Sequence, residues 1–195
     1  MTKILEKLYP ALALGIILAL VAVYGLHGKL MADAAQMVSL HISFGIWLHV
    51  ISGILWIGLL WYFNFVQIPT MPKIPAELKP AVGKFIAPEA LFWFRWAALA
   101  TVVTGLAVAA IKGYLISSLS FQDNLTIGIG MWLALFMAAN VWFFIWPNQK
   151  KALGIVTVDD AAKAQAARFA MLGSRTNFVL SFPMLYCMVS QNIAG

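Results

Sequence analysis

Residues 40–66 read LHISFGIWLHVISGILWIGLLWYFNFV, with no Asp, Glu, Lys or Arg anywhere in the run. A helix needs about 20 apolar residues to cross the ~30 Å hydrocarbon core of a bilayer. The run therefore predicts a membrane-spanning helix. It also holds His41 and His49, two of the three histidines of the chain. Ionisable groups inside a span are costly and usually functional, so haem ligation and a proton pathway are the first functional readings.

The rest of the chain matches this beginning. Of its 195 residues, 63% are hydrophobic and 10% charged, and the mean hydropathy is +0.88. A soluble domain of that composition would lack polar residues to cover its surface. The expectation is an all-α integral membrane bundle forming one domain over residues 1–195. The first apolar segment shows no small-residue cleavage site and leads into further spans, so it reads as a retained helix and not a signal peptide. A single cysteine, Cys187, excludes an internal disulfide, a Cys-x-x-Cys redox pair, a zinc cluster and covalent c-type haem attachment.

About five spans are expected, at residues 9–26, 40–66, 91–111, 127–146 and 177–192, the last kinked by Pro183. Continuous apolar runs argue against alternating membrane strands. Eleven of the 13 Lys and Arg collect on the side holding the N-terminus and the second and fourth loops, leaving Lys29 and Lys112 opposite. The positive-inside rule then puts the N-terminus in the cytoplasm and the C-terminus in the periplasm. Loop 67–88, with five prolines, reads as an extended or turn-rich strap. Residues 158–172 read as a soluble helix capped by Asp159 or Asp160.

On a helical wheel of about 100° per residue, His41, Gly45, Ser52, Gly53, Trp56 and Asn64 all fall within about 80° of His49. Polar, small and indole residues thus share a stripe that should face the bundle interior and admit a flat ligand or another helix. His49 lies about 12 Å deeper than His41, whereas His27, ending the first span, matches the level of His41. His27 with His41 makes a sensible bis-imidazole pair for haem iron. His49 would be five-coordinate or paired with Met131, Met137 or Met184. The bland alternative for each histidine is a hydrogen bond to a neighbouring helix or a place at the interface.

Arg95 stands among Phe92, Trp93, Phe94 and Trp96, as an aromatic-belt residue would with a snorkelling cation; a haem propionate or anion contact is the sharper reading. Thr101, Thr104 and Gly105 form a small-residue packing face, and Asn140 reads as an interhelical hydrogen bond. Gly-rich phosphate loops, HExxH, nucleophile elbows and paired carboxylates are all missing, and nothing points to nucleic acid.

Several motifs carry a resemblance: His49-Val-Ile-Ser-Gly-Ile-Leu-Trp56-Ile-Gly, Phe94-Arg95-Trp96, the stretch from Asn140 through Trp146-Pro147-Asn-Gln-Lys-Lys151, and Ser174-Arg175-Thr176-Asn177 with Ser181-Phe-Pro183-Met184. Over residues 40–190 these resemble the N-terminal membrane domain of the bacterial membrane-bound urate oxidase (urate hydroxylase) family. The His-x6-Trp-x-Gly pattern is also similar to membrane-type protoporphyrinogen oxidases and copper-resistance membrane proteins, some of which bind haem b through such a histidine.

The resemblance implies a multi-pass protein of the bacterial inner membrane linked to electron transfer. Longer urate-oxidising relatives carry a c-type cytochrome domain, whereas this chain has no Cys-x-x-Cys-His and reads as a short stand-alone relative. Three functions follow as expectations. The first is a haem b protein using His49, then His41 and His27, with Trp56, Ser52 and Gly53 lining the cofactor, and exchanging electrons with a separate cytochrome or a larger respiratory-type complex. The second is an enzyme oxidising urate or a similar planar anion held by Arg95, Asn140, Arg175 and Asn177, and using an external cytochrome c. The third is a non-catalytic accessory subunit.

Overall fold

The computed structural model describes residues 5–27, 34–122 and 124–190, and every long element among them is helical. The chain divides into two compact units, Met1–Phe44 and Gly45–Gly195. The first contains α1 (Leu8–His27) and the beginning of α2 (Ala34–Trp61). None of the apolar window of α1 is buried, as expected of a helix that lipid can cover.

In the second unit α2 runs on past Trp61 to Lys73. It is followed by α3 (Lys79–Ile111), short α4 (Leu115–Leu119), α5 (Leu125–Ala152) and α6 (Asp160–Ser190). Helices α1, α2, α3 and α5 are long and apolar enough to cross a membrane. Helix α6 joins the expected loop helix and fifth span into one piece of 31 residues, about 46 Å long. Its polar first half keeps it below the apolarity of the other four. The Asp159 carboxylate caps it, accepting from the Ala162 N–H at 2.7 Å.

The proline-rich strap is largely helix. Only residues 74–78 interrupt it, and the reason lies in two wide turns at its ends, of a kind that recurs in α5. Helix α2 opens into a π turn at Tyr62–Gln67, α3 at Val82–Ile86 and α5 at Asn140–Ile145. Each ends two residues before a proline: Pro69, Pro88 and Pro147. In each, the residue just before the proline donates its N–H five residues back: Ile68 to the Phe63 carbonyl, Ala87 to Val82 and Trp146 to Val141. A proline has no N–H and its ring collides with the carbonyl four residues earlier. A wider turn relieves that collision and lets the helix continue.

Helices α3 and α5 stop where glycine permits a left-handed residue. Gly113 (φ 80°) and Gly154 (φ 75°) follow the two ends. The next residues, Tyr114 and Ile155, donate to the carbonyls of Ala109 and Lys150, closing the helix ends in the Schellman manner.

Packing gathers on Trp56, Leu60, Phe63, Phe94, Ala98, Met137, Val141 and Met184, all buried. Phe63 and Phe94 meet edge-to-face at 5.6 Å, an arrangement worth about 0.5–1.5 kcal/mol. In lipid there is little hydrophobic drive between helices, so close packing and interhelical hydrogen bonds carry the association.

Candidate functional site

His49 sits where α2 crosses α3. Its Nδ1 lies 2.9 Å from the Thr101 carbonyl oxygen and 3.3 Å from Thr104 Oγ1. A carbonyl can only accept, so Nδ1 carries the proton and donates. Thr104 Oγ1 lies 2.6 Å from the Ala100 carbonyl, to which its own hydroxyl donates. The Nε2 lone pair makes no hydrogen bond to the described residues, and the side chain is half-buried. Fixing one ring nitrogen on a backbone carbonyl while leaving the other bare is how ligating histidines are commonly held. By donor chemistry alone, His49 would suit a ligand to haem iron.

The stripe around it serves differently from the flat cleft expected. A Cβ on Gly105 would meet the His49 ring, one on Gly45 would meet Val108, and one on Gly53 would touch Thr101. The small residues are spent bringing α2 and α3 together. Trp56 is fully buried in the core with an unpartnered Nε1; Ser52 is half-buried one turn from His49. Met137 and Met184 are buried in the core around Trp56, and Met131 in a second cluster with Ala109 and Ile127. The room these residues were expected to leave for a porphyrin is filled by side chains.

His41 belongs to the first unit. It is exposed, and its Nδ1–H donates to the Met37 carbonyl of its own helix at 2.7 Å. The His27 side chain lies outside the described residues, and so does its pairing with His41.

The four anion candidates do not form one constellation. Asn140 donates from Nδ2 to the Gly173 carbonyl (3.0 Å) and to Asn177 Oδ1 (2.8 Å). Asn177 in turn donates to the Met137 carbonyl at 2.9 Å. These two amides clamp α5 to α6. Arg95 lies flat on the Trp146 indole, its guanidinium carbon 3.4 Å from the ring centroid, with Nη1 buried and unpaired. Arg175 is exposed, while its neighbour Ser174 is buried.

Sequence reasoning missed two further clamps. Asn64 Nδ2 donates to the Leu60 carbonyl (2.8 Å) and to Ser174 Oγ (2.9 Å), tying α2 to α6. Trp61 Nε1 donates to Ser181 Oγ at 3.0 Å while its indole stacks on Phe182 at 5.4 Å. The available signal was the spacing of Ser174, Asn177 and Ser181, which puts all three on one face of a helix. Among the described residues no group of three or more His, Cys, Asp or Glu is placed to hold a metal ion.

No curated protein and no solved structure matches the chain. Residues 119–194 match the family model described as Urate oxidase N-terminal. That stretch takes in α5 and α6, with Asn140, Trp146, Ser174 and Asn177, and leaves His49 and Arg95 outside it. The likeness to that family is over this stretch, which is less than half of the chain.

Proposed function

We propose that this chain is a multi-pass protein of the bacterial inner membrane that binds haem b and relays single electrons to or from a separate cytochrome or a larger membrane complex. The observation that carries this reading is the Nδ1–H of His49 on the Thr101 carbonyl, which commits the imidazole to the tautomer with a free Nε2 lone pair. Haem supplies a reversible one-electron change at iron. Thr101 fixes the ring and raises its basicity, and Gly105 provides the hollow in which its edge rests. The seam between α2 and α3 is filled by side chains, so the group that would hold haem iron is His49 through Nε2 alone. The excess of Lys and Arg on one side supports a cytoplasmic N-terminus.

The pyridine-haemochrome assay on purified protein tests the reading. Stoichiometric haem b, lost in His49→Ala at unchanged helix content, is the expected result. Haem-free protein from haem-replete cells overturns it.

The family match favours a second reading, an oxidoreductase acting on urate or a similar planar anion and passing electrons to an external cytochrome c. Arg95, with one unspent buried N–H group, is its best-placed contact, since Asn140 and Asn177 are engaged with each other. Urate consumption unchanged in a deletion strain counts against it. A non-catalytic accessory subunit is the reading left if His49→Ala and His41→Ala alter neither assembly nor activity.

A further inference from the structure

The three π turns converge. Phe63 and Gln67 from the first, Val82 and Gly83 from the second and Ile145 from the third line one cavity of about 290 Å³, closed on its other side by α6 at Ser174. This is near the lower end of ligand pockets, about 300–1,000 Å³, and π turns concentrate at functional sites.

The cavity has a definite polarity. No charged side chain lines it, so it suits a neutral guest. Gln67 Oε1 is buried with no hydrogen-bond partner, an acceptor awaiting a donor. Ser174 offers the converse. Its Oγ receives the Asn64 Nδ2–H at 2.9 Å, and its own hydroxyl proton is spent on nothing among the described residues. Asn64 and Gln67 are one helical turn apart, so the free acceptor and the free donor lie on neighbouring parts of the wall.

We propose that this cavity binds a small neutral molecule presenting an N–H donor beside a carbonyl acceptor, the edge of a simple amide or lactam. The N–H meets Gln67 Oε1, the carbonyl accepts from Ser174, and the body of the guest packs on Phe63, Leu91 and Phe94. The site is separate from His49 and does not depend on haem.

Titration of the detergent-purified full chain with 2-pyridone and with N-methyl-2-pyridone, followed by ligand-observed NMR, tests the proposal without any mutation. The two probes share a ring and a carbonyl, and only the first has the donor. The expected result is saturable binding of 2-pyridone about tenfold tighter than its methylated analogue, one buried hydrogen bond being worth roughly that factor. Gln67→Leu should erase the difference, and Ser174→Ala should weaken both probes. Equal affinity of the two probes for the unaltered protein, or no binding of either, overturns it.

Discussion

Gly105 and His49 interlock: a Cβ on Gly105 would lie 2.7 Å from the imidazole Cε1 and 3.0 Å from Nδ1. The absent side chain is the space the ring occupies, and the ring is held there by the Thr101 carbonyl. Gly105→Ala should push the imidazole off that carbonyl and destabilise the protein by about 1–3 kcal/mol, as overpacking does. Gly58, where a Cβ meets nothing within 4 Å, is the control. Gly58→Ala should be neutral or stabilising by up to about 1 kcal/mol. Thermal unfolding of both variants in detergent checks the contrast.

The Asn140–Asn177 clamp predicts non-additivity. Either Asn→Ala change leaves a buried group of its partner short of a hydrogen bond, at a cost of about 1–3 kcal/mol. The double variant should lose less than the summed single losses, with a coupling of about 0.5–3 kcal/mol. A double-mutant cycle by chemical unfolding reads that coupling; additive losses would show that the two amides act independently.

Arg95 on Trp146 should behave as a stacked cation. Trp146→Leu is expected to cost about 0.5–2 kcal/mol, and Arg95→Lys should fail to preserve the contact, because an ammonium cannot lie flat on the ring. Unfolding midpoints of the two variants, compared with the unaltered chain, measure this.

Tyr114, half-buried just past the end of α3 and 5.5 Å from the Lys112 ammonium, has its phenol pKa pushed above the ordinary 10.0 by burial. Below about pH 10 both folded and unfolded chains keep the proton, and the stabilisation is complete. As pH rises further the unfolded chain releases its proton first, so stability falls towards the raised folded value. Tyr114→Phe should flatten that alkaline decline in a pH series of unfolding midpoints.

The apolar runs made the long helices legible, because a stretch such as residues 40–66 has one stable form in lipid. Their ends were less legible. Pro69, Pro72 and Pro88 read as breakers, and the wide turns that accommodate Pro69 and Pro88 leave no mark in composition. Residues 158–172 and 177–192 read as separate pieces because Ser174, Arg175 and Asn177 lower the hydropathy between them. In the fold two of those three point inward, bonded to Asn64 and Asn140. The histidine stripe was expected to face the bundle interior; His49, Gly45 and Gly53 meet α3 while His41 is exposed, and a helical wheel cannot say whether small residues leave space or are filled by a neighbour. Here Thr101, Val108 and His49 itself fill them.

If His49 offers Nε2 to haem iron, a dithionite-reduced minus oxidised absorption spectrum of the purified protein registers it. A Soret band and a b-type α band are expected in the unaltered chain, shifted in Gly105→Ala and absent in His49→Ala. A flat difference spectrum from protein made with ample haem, or a spectrum that His49→Ala leaves untouched, would contradict it.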